Sequence, residues 1–235
     1  KLNRFMVEGV RLVEEAVKAG RVESVFHCSD ALSSERSTAL MTELKMSNIP
    51  IMEIDAKEMA ILSDAVQNQG VMALATIPVH HFSQPASLKD NWLYLDSVRD
   101  PGNLGSMLRT ANWFGLKNIT LSPASADPYN PKVVRGGMGA HFHLNVHRDI
   151  PLSDLKESGK KIIAAVMDST PISELDLKKS EEWCLVMGSE ANGISEESRG
   201  LADQFVFIPG TGEAESLNVA VATGILLYQL TNELI

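Results

Sequence analysis

The chain has 235 residues, 44% of them hydrophobic, and a formal net charge of −9, enough apolar material for one substantial core and a smaller one, hence two domains. The acidic balance excludes diffuse, charge-driven attraction to nucleic acid, which needs local Lys and Arg. Cys28 and Cys184 share no CxxC or Cys/His spacing, which excludes a zinc site and fits a reduced, cytoplasmic protein, and no run of roughly 18 apolar residues or basic-then-apolar start suggests a membrane span or secretory signal.

The first part alternates helix and strand. Residues 8–19 place Val10, Val13 and Val17 at helical spacing with Gly20 as a stop, and residues 22–28 read as a strand. A helix over 33–46, a strand over 51–54, a short helix over 56–62 and a strand over 70–77 complete a small α/β sandwich domain, residues 1–78. Residues 79–91 carry prolines and little apolar content, as a linker does, and His80 and His81 are linker residues.

The second domain, residues 92–235, opens with a strand over 92–95 and a polar loop over 96–102. Asn103 is the expected N-cap of a helix over 104–114, with Leu104, Leu108 and Ala111 on its buried stripe and Gly115 ending it. On its other face, spacings of three and four gather Gly105, Ser106, Arg109 and Asn112. Strands follow over 118–121, 161–166, 184–187 and 205–208 with helices between, the pattern of a parallel sheet covered on both faces. After Pro209, Gly210 and Gly212, Ser216 suits the N-cap of a final helix. That helix is apolar on most sides and so is expected to be buried almost all round.

Charge is distributed unevenly. Residues 128–148 contain no acid but hold Lys132, Arg135, Arg148 and three histidines, while residues 181–215 set eight carboxylates against Arg199 alone. A basic patch can therefore sit on an acidic protein, although a solvated face explains most charge runs. Alternation puts His141 and His143 on one face of a strand; with no carboxylate beside them, a structural or RNA-contact role outweighs catalysis or metal binding. Cys184, at the start of a buried strand, reads as core rather than nucleophile.

Parallel sheets bind ligands beyond the carboxyl ends of their strands, and those loops carry the unusual residues: DSVRDPGNLGSMLRTA, GSEANGIS and PGTGEAESLN. Gly210 and Gly212 suggest a dinucleotide loop, but Glu215 occupies the third glycine position and too little chain follows for the second strand and its ribose-binding acid, which disfavours a nicotinamide oxidoreductase. Neither GNLGS nor GTGEAE is followed by the Lys and Ser/Thr of a phosphate loop.

In order, NLGSMLRTA, MGSEANGIS and IPGTGEAESLNVAVA resemble motifs 1, 2 and 3 of the SpoU (TrmH-type) RNA ribose 2′-O-methyltransferases of the SPOUT superfamily. FMVEGVRLVEEAVKAG and QGVMALA resemble the ribosomal-protein-like substrate-binding domain that precedes the catalytic domain in many members. The resemblance implies an α/β protein with a C-terminal parallel sheet, a deep trefoil knot, a homodimer and S-adenosylmethionine as cofactor. The cofactor would be held around Met187, Gly188, Ile208 and Leu217, with Gly193 making room. It also implies functional roles for Asn103 and Arg109, Glu190, Ser216 and Asn218, and makes Lys132 and Arg135 candidates for RNA contact beside Arg109. Gly137 stands where the family often has a serine. The expected reaction moves a methyl group to a ribose 2′-hydroxyl, most readily of large-subunit rRNA, with tRNA methylation or a silent RNA-binding role as alternatives. Because a guanidinium keeps its proton at neutral pH, Arg109 is expected to fix the target phosphate and the 2′-oxygen while a phosphate oxygen or a transiently neutral arginine takes the proton.

Overall fold

The computed structural model describes residues 3–65, 68–78, 90–178 and 181–232. Most of the expected linker, including His80 and His81, lies outside the described residues. The chain builds two sheets in succession. The first uses β1 (Arg4–Glu8), β2 (Val22–His27), β3 (Ile51–Glu53) and β4 (Val71–Thr76), with α1 (Val10–Lys18), α2 (Glu35–Lys45) and α3 (Ala56–Leu62) between them. Its order is β1-β4-β2-β3, with β4 antiparallel to both neighbours and β3 parallel to β2. Strand alternation divides the apolar residues between two faces. Phe5, Val7, Ala73 and Ala75 join α1 and α2 in one cluster, while Met6 and Met72 meet Met59 of α3 in another.

The second sheet comprises β5 (Trp92–Leu95), β6 (Asn118–Leu121), β7 (Asn145–Arg148), β8 (Lys161–Pro171), β9 (Trp183–Met187) and β10 (Gln204–Phe207). Its order is β10-β8-β9-β5-β6-β7 with every neighbouring pair parallel. Its helices are α4 (Pro101–Trp113), α5 (Pro131–Gly137), α6 (Leu152–Glu157), α7 (Glu196–Leu201) and α8 (Val219–Asn232). Leu93, Leu95, Leu185 and Met187 pack with α4 and α8, whereas Trp92, Tyr94, Cys184 and Val186 pack with α6 and α7. The expected α/β architecture with a parallel C-terminal sheet covered on both faces is therefore present. Cys184 is buried in that core, where desolvation holds its thiol well above the usual range.

Several local readings require correction. The chain opens with β1, so Glu8 ends a strand and the first helix begins at Val10. Asp100, not Asn103, is the N-cap of α4: its Oδ1 accepts the Asn103 N–H at 2.7 Å, and Pro101 needs no partner for a missing donor. Ser216 is not the cap of α8 either. Asn218 Oδ1 accepts from Ala220 N at 2.9 Å and Val221 N at 3.3 Å. That helix buries Val219, Thr223, Leu226, Leu227 and Leu230 but leaves Val221, Ile225 and Tyr228 on the surface, so it is not enclosed all round. His141 and His143 share no strand. His141 lies in the 3-10 turn Ala140–Phe142, and His143 follows it.

That turn joins the two halves. Phe5 of β1 packs on Tyr129, His141 and Phe142, with ring centroids 5.0, 6.2 and 5.9 Å apart, and His143 Nε2 lies 3.4 Å from Glu15 of α1. Next to it α5 crosses α4 at closest range. A Cβ added to Gly105 would stand 2.7 Å from the Val133 carbonyl and 3.0 Å from Gly136 Cα. Small residues let the two backbones touch, which explains the glycines in NLGS and RGG. Gly137 faces the His141 ring, and a Cβ there would fall 2.8 Å from its Cε1, so the imidazole fills the room a serine would need.

Two outcomes follow from this packing. Gly105→Ala should lower stability by about 1–3 kcal/mol in urea unfolding, because backbone rather than a movable side chain blocks the new methyl. His141 is buried with Nε2 2.7 Å from the Pro128 carbonyl, which can only accept, so Nε2 carries the proton; Nδ1 has no partner among the described residues. Burial pulls this imidazole down to about 4, against the opposing pull of the Pro128 carbonyl. The unfolded chain therefore takes up a proton near 6.5 that the native state refuses. Stability should be complete above that pH and fall by up to about 3 kcal/mol as pH drops towards 4. Urea titrations at several pH values should show this window, and His141→Gln should flatten it.

Candidate active site

The loops after β5, β9 and β10 emerge from the carboxyl ends of their strands, the edge of a parallel sheet where ligands bind. The β5 loop is fixed by hydrogen bonds from its start. Ser97 adopts φ 60°, an uncommon left-handed conformation for a residue other than glycine, and its N–H donates to Ser122 Oγ at 2.8 Å. The following Asp100 cap sets the first turn of α4, which carries Asn103 half-buried and Arg109 exposed. Arg109 makes no ion pair or hydrogen bond among the described residues, so its guanidinium is open to solvent.

The β9 loop folds back on itself. Ser189 and Gly193 exchange backbone hydrogen bonds of 2.9 Å in both directions, with Gly193 at φ 66°. Gly188 passes so close beneath that a Cβ would lie 2.1 Å from the Gly193 carbonyl carbon. No side chain can occupy position 188. Asp96, at the end of β5, ties this loop down: its Oδ2 accepts the Ser195 N–H at 2.8 Å, Ser97 Oγ lies 3.2 Å from Oδ1, and its own N–H donates to the Met187 carbonyl at 2.8 Å. This buried carboxylate, 3% exposed, escapes a reading of the sequence alone. Its signal was an acid directly after an apolar strand of a parallel sheet, the place where a loop from a neighbouring strand has to be anchored.

Three of the expected site residues meet. Asn103 Nδ2 donates to Glu190 Oε1, and Asn218 Nδ2 donates to Asn103 Oδ1 at 2.9 Å. One side chain from each of the three loops therefore forms a single chain of hydrogen bonds. The amide orientations are internally consistent, because Asn103 must accept with its oxygen to receive from Asn218 and donate with its nitrogen to reach a carboxylate. Ser216 and Leu217 are exposed in the β10 loop, and the Ser216 hydroxyl makes no hydrogen bond among the described residues. Met187 is buried under the β9 loop and Ile208 is half-buried at the end of β10. Lys132 and Arg135 stand exposed on α5, with no ion pair among the described residues. Among the described residues no group of three or more His, Cys, Asp or Glu is placed to hold a metal ion, and no helix is long and apolar enough to cross a membrane.

This donor set suits a nucleoside cofactor. The backbone is bare at Gly188, where no Cβ could enter, and open beside Gly193, with apolar Met187 and Ile208 in the core beneath and polar side chains where the three loops converge. The same loops lack the glycine fingerprint of a dinucleotide site. Comparison with known proteins agrees. Residues 90–228 match the family model described as SpoU rRNA Methylase family, and residues 1–73 match an MRM3-like substrate binding domain. The chain therefore belongs to the SpoU family of methyltransferases, whose members use S-adenosylmethionine. It is 32% identical over 234 residues to the 23S rRNA (guanosine(2553)-2′-O)-methyltransferase RlmP of Bacillus subtilis, covering 98% of this chain and 89% of that one. Among solved structures, a TrmH-family protein from Porphyromonas gingivalis superposes with TM-score 0.83 at 30% identity, over 98% of this chain and 90% of that one. An AdoMet-bound rRNA methyltransferase from Sinorhizobium meliloti gives TM-score 0.81 at 26% identity, over 99% and 88%.

The double engagement of Asn218 yields a separable prediction. Asn218→Ala removes the α8 cap as well as the link to Asn103 and should cost about 1 kcal/mol of stability. Asn218→Asp keeps an oxygen for the cap but loses the donor to Asn103. Denaturation should find the aspartate variant as stable as the parent, while methyl-transfer assays find both variants impaired.

Proposed function

We propose that this protein transfers a methyl group from S-adenosylmethionine to a ribose 2′-hydroxyl of large-subunit rRNA. The observation that carries this reading is the Asn103–Glu190 and Asn103–Asn218 hydrogen-bond chain joining the three motif loops, on the same helix that carries the exposed Arg109. The rRNA activity of the Bacillus subtilis relative and the substrate-binding match over residues 1–73 favour rRNA over tRNA. In this reading residues 1–78 grip RNA, residues 79–91 link, residues 92–235 catalyse, and the knot of the resemblance threads the β9 and β10 loops. The protein works in the cytoplasm with its ribosomal substrate.

When bound, S-adenosylmethionine supplies a methyl group made electrophilic by its sulfonium. The protein's task is then to present a ribose oxygen in line and to remove a poorly acidic proton. Backbone around Gly188 and Met187, with Ile208 and Leu217, holds the nucleoside, and the space beyond Gly193 admits it. Arg109 fits the ribose side, since a planar guanidinium can fork to a phosphate and still donate to the 2′-oxygen. It holds the target phosphate so that one of its oxygens can accept the proton. Glu190, Asn103 and Asn218 keep the three loops in one geometry, and the free hydroxyl of Ser216 adds a donor. Lys132 and Arg135 supply further cations for the RNA backbone.

A homodimer suits the surface of α8. Val221, Ile225 and Tyr228 recur at spacings of four and three, one helical face, and are 52%, 39% and 59% exposed. Isologous pairing of this stripe would cover it and set the β10 loops of two protomers near each other.

Three measurements test the proposal. S-adenosylhomocysteine should raise the melting temperature, and absence of any response defeats the cofactor assignment. Arg109→Lys should lower turnover on rRNA at least 100-fold with S-adenosylhomocysteine affinity unchanged; full activity would remove Arg109 from the reaction. Ile225→Glu should convert a dimer to a monomer in analytical ultracentrifugation.

A further inference from the structure

One residue holds both feet of the β9 loop. Asp96 donates its own N–H to the Met187 carbonyl at 2.8 Å, where the chain leaves β9, and its Oδ2 accepts the Ser195 N–H at 2.8 Å, where the chain comes back. Between those feet lie Gly188 and the hairpin that Ser189 and Gly193 close with paired backbone hydrogen bonds. Any residue at position 96 could make the first bond, but only a short side chain with an acceptor can make the second. Asp96 is the one buried carboxylate among the described residues. Its Oδ1 faces the Ser97 hydroxyl at 3.2 Å, and the Ser97 N–H donates in turn to Ser122 Oγ at 2.8 Å, just beyond β6. The clamp is therefore itself braced from a neighbouring strand.

We infer that Asp96 is a positioning residue for methyl transfer, which sets the affinity for S-adenosylmethionine by holding the β9 loop in its binding shape before the cofactor arrives. The inference rests on the placement of the cofactor against that loop and goes beyond it by assigning cofactor affinity to a residue buried outside the loop. A loop left to be ordered by its ligand weakens binding by the entropy of ordering it, and preorganisation removes that loss. Glycine sharpens the need: Gly188 and Gly193, the latter at φ 66°, have no side chain to pack, so the shape between them depends on hydrogen bonds at the ends. The chemistry is spared, because the tip of the loop is tied separately by Glu190 to Asn103, and α4 keeps its own cap in Asp100. The effect of Asp96 therefore falls on cofactor binding and leaves turnover of the loaded enzyme in place. What the side chain supplies is an acceptor at a fixed point rather than a charge, since both of its contacts are to neutral groups, a backbone N–H and a hydroxyl. An amide of the same shape makes both, its oxygen accepting from Ser195 and its nitrogen donating to Ser97 Oγ.

The test compares Asp96→Ala, Asp96→Asn and Asp96→Glu with the parent, by calorimetric titration with S-adenosylhomocysteine, steady-state methyl transfer to a large-subunit rRNA transcript, and urea unfolding. The alanine variant should bind S-adenosylhomocysteine about tenfold or more weakly and show a matching rise in KM for S-adenosylmethionine. Its kcat at saturating cofactor and its KM for rRNA should stay within about threefold of the parent's, a split that a general loss of structure does not produce. The asparagine variant should bind within about threefold of the parent, whereas the glutamate variant, which keeps the charge but carries the acceptor one bond too far, should lose about tenfold or more. That pair decides the matter even where the alanine variant does not fold. Asparagine binding no better than glutamate, or all three variants binding as the parent does, overturns the inference. Hydrogen exchange of residues 188–195 with and without S-adenosylhomocysteine separates the inference from the reading beneath it. Binding to the parent without protection of that loop strikes the cofactor placement and the inference together, whereas a protected parent loop with unaffected variants strikes the inference alone.

Discussion

The structure depends on a short chain of hydrogen bonds in which one amide, Asn103, is both donor and acceptor. Its two partners come from loops 87 and 115 residues further along the chain. Nothing local brings these three side chains together. They meet because β5 and β9 are adjacent parallel strands, because Asp96 pins the β9 loop to the end of β5, and because α8 packs against α4. Each support is buried or backbone-based, which lets an otherwise exposed site hold one geometry.

Glycine serves the same end by subtraction. Gly188 allows one loop to lie on itself, and Gly105 with Gly136 allows two helices to touch. In both places the structure uses a missing Cβ to bring backbone where a side chain would have kept it away. The result is that the β9 loop and the α4–α5 crossing are held within the C-terminal half by short backbone contacts, and α5 in turn lies against β1 of the N-terminal half. The aromatic group of Phe5, Tyr129, His141 and Phe142 completes that joint.

Much of this was legible in the sequence, and the exceptions have physical causes. The parallel sheet was readable because its strands are short apolar runs separated by helical periods; polar crowding at the carboxyl ends of those strands singled out the loops, and the individual residues were named through the resemblance of those loops to the SpoU motifs. The caps were misplaced by two or three residues because each loop offers two residues of cap type: Asp100 and Asn103, Ser216 and Asn218. Only the turn geometry chooses between them. β1 was hidden because it runs directly into α1 across Gly9. The exposed side of α8 could not be told from its buried side, since both are apolar. Asp96 and His141 look like ordinary polar residues until burial gives one an anchoring role and leaves the other with a nitrogen that has no partner among the described residues.

The amide of Asn218 begins the last helix with one end and reaches Asn103 with the other. Fraying of the first turn of α8 and loss of the site are consequently the same opening event. Hydrogen exchange at the amides of Ala220 and Val221 thus reports on the Asn218–Asn103 link between two loops as well as on the end of a helix.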